Sequence, residues 1–97
     1  MLELRPNCEH CGCALPADSP LARICSFECT FCADCVVLLQ HACPNCGGNF
    51  VPRPIRPGID TRHGNDLQHY PAATTRRYRP VDVAAHQQWL AQPQQPE

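Results

Sequence analysis

Nine cysteines crowd between Cys8 and Cys46, and none follows in the second half of the chain. Eight fall into close pairs: Cys8-x2-Cys11, Cys25-x3-Cys29, Cys32-x2-Cys35 and Cys43-x2-Cys46. Thiolates so spaced are metal ligands. A two-residue spacer bends the backbone into a knuckle whose two sulfurs face one ion, while nearby N–H groups spread the thiolate charge. Eight thiolates make two complete tetrahedral sites, so the sequence predicts two Zn²⁺ on Cys8, Cys11, Cys25, Cys29, Cys32, Cys35, Cys43 and Cys46. Pro44 pre-sets a turn φ in the last knuckle and Gly47 tolerates the positive φ at its exit.

Two pairings satisfy the spacing. Sequential pairing joins the first two pairs on one ion and the last two on the other. Interleaved pairing joins Cys8 and Cys11 to Cys32 and Cys35, and Cys25 and Cys29 to Cys43 and Cys46. The interleaved form is the better reading, because only two residues separate Cys29 from Cys32 and two ions there would leave little core between them. It also lets Val36-Val37-Leu38-Leu39 form a short helix between the sites. Cys32 and Cys35 then sit at its first turn, where the helix dipole favours negative thiolates.

The elements that hold these ligands must be few. The chain has 97 residues and eleven Pro, and a domain this small gains only about 3–5 kcal/mol from an apolar core alone. A metal is the natural staple. The start, Met1-Leu-Glu-Leu-Arg-Pro6, has neither the basic opening nor the apolar run of a signal peptide, and no stretch is long enough to cross a bilayer. A reducing, cytoplasmic setting is expected, in which clustered Cys bind metal rather than form disulfides.

Composition divides the chain into residues 1–50, a zinc-binding domain, and residues 51–97, a Pro-rich tail with six of the eight Arg. Pro52, Pro54 and Pro57 predict extended geometry. A short helix over 82–91 is expected with Asp82 as N-cap, but it is too short to persist unaided. It is expected to order on a partner rather than on the head, with Trp89 as anchor. The last residues, Gln92 to Glu97, read as disordered.

The ligand order resembles the RING-type cross-brace, with Cys29 where that family often has His, Phe31 before the third pair and Cys43-Pro-Asn-Cys46 closing. Met1-Leu-Glu-Leu-Arg-Pro-Asn-Cys8, Ile24-Cys-Ser-Phe-Glu-Cys-Thr-Phe-Cys-Ala-Asp-Cys35, Cys43-Pro-Asn-Cys-Gly-Gly48 and His69-Tyr-Pro-Ala-Ala-Thr-Thr-Arg-Arg77 are more specific. They resemble the bacterial domain-of-unknown-function family 1272. The resemblance implies a bacterial, cytoplasmic zinc protein and carries no activity. The expected fold is a small metal-stabilised domain: a RING-like or treble-clef cross-brace with one short helix and a small β-hairpin, then a largely extended tail. Ubiquitin-ligase function is not implied. Glu9, Leu39 and Gly47 stand where such ligases carry an apolar residue, a Trp and an Arg.

Among the other residues, Cys13 reads as a bystander beside a knuckle, against the alternatives of a reactive thiol or substitute ligand. His10 should point away from the ion, His41 is not needed as a ligand, and His63, His69 and His86 read as solvated. Phe27, Phe31, Ile24 and Leu38 are expected to form a mini-core. No Ser or Thr is matched with a His and a carboxylate, and all-thiolate sites keep no open position, so catalysis is not expected. Residues 1–49 carry five acids against Arg5 and Arg23, so the head repels phosphate. The function expected is a protein-interaction or adaptor module with an unknown protein partner. The alternative is a nucleic-acid-associated regulator using the tail. Arg76, Arg77, Arg79 and Trp89 are the candidate partner-binding residues.

Overall fold

A computed structural model describes residues 1–92. Its centre is a short antiparallel hairpin, β1 (Ala22–Ile24) and β2 (Thr30–Cys32), with Ala22 opposite Cys32 and Ile24 opposite Thr30. A third strand, β3 (Val51–Pro52), pairs antiparallel with the other edge of β1, giving the order β2-β1-β3. Pro52 can occupy this place because Pro is tolerated in edge strands, which need no donor on the outer side.

Helix α1 (Ala33–Leu38) starts directly from β2, with Cys32 as its extended N-cap. Cys35, Val36 and Leu39 are buried, the three- and four-residue spacing of one helical face. The helix ends because Gln40 and His41 take positive φ of 57° and 60°. Phe31 is completely buried and meets the Phe50 ring edge-on at 5.5 Å. Leu4 and Leu15 also lie in the interior. The expected mini-core is thus half right. Phe31 is central, but Phe27, in the turn between β1 and β2, is 74% exposed, and Leu38 is 44% exposed because the face of α1 that points inward carries Val36 and Leu39 instead.

The tail is not the loose extended segment that its Pro content suggested. Arg53 is buried, and its guanidinium donates to the carbonyls of Arg5 (2.9 Å), Leu15 (3.2 Å) and Pro16 (2.8 Å). Five-donor planarity suits it to gather three carbonyls at once. Residues 57–70 then form a loop around two carboxylates. Asp60 accepts from the N–H groups of Arg62, His63 and Asn65, and Asp66 from those of Asp60, Gln68 and His69. The Asp60 N–H, joined by His69, holds the Asp66 carboxyl down to about 2.

Helix α2 (Val83–Ala91) forms where expected, and the Asp82 carboxylate accepts from Ala85 N–H as its N-cap. It docks on the head instead of standing away from it. His86 is buried, not solvated, and its Nε2 donates to the Leu39 carbonyl at 2.8 Å. The ring of Trp89 lies beside His86, with centroids 5.6 Å apart, and faces Gly47. Val81 packs on the core. A helix this short survives because tertiary contact, not propensity, holds it. His63 and His69 are mostly exposed, as expected. The disorder expected at the end of the chain concerns residues 93–97, outside the described residues.

Candidate metal centres

The two ends of the β1–β2 hairpin collect different thiols. Cys25 and Cys29 flank its turn, whereas Cys32 closes the opposite end against Ala22. Three strand residues span about 10 Å, which is enough to separate two clusters.

At the Cys32 end, the sulfurs of Cys8, Cys11, Cys13 and Cys32 all lie within 4.8 Å of one another. Cys11 and Cys32 sulfurs are 3.8 Å apart. Cys35, in the first turn of α1, is not among these four, although its thiol interacts with those of Cys32, Cys8 and Cys11. At the other end, Cys25, Cys43 and Cys46 form a second cluster within the same 4.8 Å, and the Cys29 thiol reaches Cys25. No disulfide joins any of the nine. The sulfurs are therefore grouped in interleaved fashion, and Cys8 is not brought to Cys25. Two cysteine clusters could hold metal ions.

Each cluster rests on a knuckle of one design. In the first, Cys8 N–H donates to the Cys13 carbonyl (2.9 Å) and Gly12 N–H to the Cys8 carbonyl (3.0 Å). In the second, Cys43 N–H donates to the Gly48 carbonyl (2.7 Å) and Gly47 N–H to the Cys43 carbonyl (2.8 Å). Gly12 and Gly47 take φ of 79° and 80°, which glycine adopts at no steric cost. Cys13 and Gly48 thus occupy equivalent positions. Backbone N–H groups reach the sulfurs as the spacing predicted: those of Cys11, Cys32 and His10 the Cys8 thiol, and those of Asn45 and Cys46 the Cys43 thiol.

Burial pushes the thiols of Cys8, Cys25, Cys35 and Cys43 up from the ordinary range. Burial also opposes ionisation of Cys11, but the Cys13 N–H and neighbouring thiols outweigh it and bring Cys11 down to about 7. Cys13 is pushed up to about 12 by burial and by the Cys11 and Cys32 thiols beside it. Each cluster without metal thus shares protons among crowded sulfurs, a situation that a divalent cation relieves.

A polar frame locks the first knuckle. Glu9, completely buried, accepts from Thr30 N–H (2.8 Å) and from Arg5 (3.1 Å), and its own N–H donates to the Thr30 carbonyl. Asn7 exchanges hydrogen bonds with the backbone of Arg77. His10 points away from the sulfurs, as expected, and its Nδ1 accepts from Val81 N–H at 2.8 Å. His41 is exposed and lies in neither cluster. Cys13 is the correction. It is no bystander in position, since its sulfur lies within the first cluster. The signal was Cys11-Gly-Cys13 itself, in which a positive-φ glycine turns the third residue back toward the first.

The tail residues singled out for binding lie against this frame. Arg76 donates to the Gly12 carbonyl and stacks over Tyr78 at 5.6 Å. Arg77 pairs with Glu3 at 3.4 Å, and Arg79 approaches Glu9 at 4.0 Å. Trp89 lies beside the second knuckle.

Comparison with known proteins covers the segment that carries this cysteine framework. Residues 1–56 match the model described as "Protein of unknown function (DUF1272)", and the chain belongs to that family. It is also 53% identical over 85 residues to the "Uncharacterized protein R02474" of Rhizobium meliloti (strain 1021). That alignment covers 87% of this chain and 94% of the relative. No solved structure matches significantly. Among the described residues, no helix is long and apolar enough to cross a membrane.

Proposed function

We propose that this is a structural zinc protein with two Zn²⁺ in an interleaved, RING-like cross-brace, and that it acts as a protein-interaction module without chemistry of its own. The carrying observation is the interleaved grouping of thiols. A tetrahedral Zn²⁺ with sulfurs at about 2.3 Å sets neighbouring sulfurs about 3.8 Å apart, and Cys11 and Cys32 already stand at 3.8 Å. An all-sulfur donor set suits zinc and leaves no position for a hydrolytic water. Free thiols favour a reducing, cytoplasmic setting.

The partner surface is better sought on the head than on the tail. Arg77 and Arg79 face Glu3 and Glu9, so part of their charge is neutralised within the chain, which favours a protein over a nucleic acid. On the head, Phe27 with Cys29, Asn45 and Cys46 lines an apolar cleft of about 360 Å³. Metal analysis of protein purified without added metal tests the core of this reading. Two zinc ions per chain are expected; one ion, or iron, overturns it.

A further inference from the structure

We infer that the first centre is a five-thiol site, in which Cys13 is an alternate metal ligand exchanging with Cys35. This rests on the zinc reading above and adds to it a ligand that the paired spacing does not assign. Two independent observations support it.

The first is position. The four mutually close sulfurs are Cys8, Cys11, Cys13 and Cys32, while Cys35 reaches Cys32, Cys8 and Cys11 from α1. Five sulfurs therefore surround a space that a tetrahedral ion fills with four. Cys8, Cys11 and Cys32 are common to both sets, and Cys13 and Cys35 compete for the fourth place.

The second is the likeness of the knuckles. Residue Gly48 holds in the second knuckle the place of Cys13 in the first, with the same pair of backbone hydrogen bonds. A Cβ built at Gly48 would lie 3.9 Å from the Cys46 sulfur and 3.7 Å from the Ser26 hydroxyl. The place is thus open to a side chain, which would begin in van der Waals contact with the Cys46 sulfur. In the first knuckle that place carries a thiol. Cys11 and Cys13 are also the exposed members of the cluster, so the alternate ligand reaches the ion from the solvent edge, while Cys8, Cys32 and Cys35 are buried. The ion bound there can change one ligand without leaving, which suits a site that takes up or passes on a thiophilic divalent ion from that edge.

The symmetry supplies the test, with zinc content per folded chain as the main readout. Cys35→Ser should keep two ions because Cys13 takes over, and Cys13→Gly with Cys35→Ser should keep one. In the second centre, Cys29→Ser should drop to one ion, and adding Gly48→Cys should restore the second. Alkylation of the zinc-loaded wild type by iodoacetamide, mapped by mass spectrometry, gives a reading that needs no variant. Cys13 should react several-fold more slowly than a free thiol at the same pH. Loss of an ion from Cys35→Ser with the second centre still loaded overturns the inference, as does alkylation of Cys13 at the free-thiol rate with both ions bound. Wild-type protein that binds no metal at all overturns the zinc reading instead.

Discussion

The sulfurs of Cys11 and Cys32 lie 3.8 Å apart although 21 residues separate them in the chain. That distance is an edge of a tetrahedron, and it joins the first knuckle to the end of β2. The consequence is that each ion should depend on distant halves of the head. Cys8→Ser and Cys43→Ser should each lose one ion per chain, and the double variant both. Zinc analysis with thiol counting checks this; a variant that loses both ions on a single change would show the centres to be coupled rather than separate.

Removing metal should unfold the head. Among the described residues the buried apolar side chains are few, Leu4, Leu15, Ala22, Phe31, Val36 and Leu39 beside five cysteines, whereas structural zinc contributes about 10–16 kcal/mol in peptide models. Strong chelation should collapse amide dispersion in an NMR spectrum. Acid should do the same, because protons compete with the ion for thiolates, and binding should strengthen as pH rises through the thiol range. Dispersion surviving in verified metal-free protein would count against the metal as the staple.

His86 ties α2 to the end of α1 through the Leu39 carbonyl. His86→Ala removes one of the two donors to that carbonyl, which keeps the Ala42 N–H at 3.3 Å, and costs about 1 kcal/mol for the lost hydrogen bond. Thermal unfolding should shift down by several degrees, and Trp89 emission, expected to be blue-shifted in the wild type, should move to the red. An unchanged melting temperature after deletion of residues 80–97 would mean that the docked helix does not hold the head.

Arg53 gathers the carbonyls of Arg5, Leu15 and Pro16. Arg53→Met should destabilise the fold by about 2–3 kcal/mol, since hydrogen bonds to charged groups exceed neutral ones. Arg53→Lys should recover only part, lacking the planar fork. Denaturant midpoints measure both, and full recovery by Lys would reduce the role to charge alone.

Asp66 organises the 57–70 loop through backbone N–H groups and His69. Its depressed carboxyl means that this support is full above the ordinary Asp range and is lost only as pH falls toward about 2. Asp66→Asn should therefore speed hydrogen exchange at Asp60, Gln68 and His69 at neutral pH without changing metal content.

Much of the cysteine framework was legible because ligand spacing is a local signal. The hairpin was expected as part of the RING-like fold the ligand order resembles, and α2 was marked by Asp82 followed by a helix-forming run. What escaped was set by long-range contact. Leu38 is apolar yet faces outward, because the inward face of α1 is taken by Cys35, Val36 and Leu39, and Phe27 faces outward from the turn between β1 and β2. His86 read as solvated and Arg53 fell in a segment read as extended, but backbone carbonyls of the head draw both inside. Cys13 was discounted as unpaired in spacing, although its geometry is dictated by Gly12.

The interleaving of the thiols also has an order in time. A nascent chain emerges from its N-terminus, so the first set is complete once Cys35 has left the ribosome, while the second must wait for Cys46. In that interval Cys25 and Cys29 are already exposed, and an ion could be captured wrongly by Cys8, Cys11, Cys25 and Cys29. The β1–β2 hairpin forms from the same segment and holds Cys25 at the end remote from Cys32. On the zinc reading, the hairpin and the first ion would close together, because three residue pairs alone are too few to hold. That joint closure would fix which topology the newborn chain adopts before the second ion arrives.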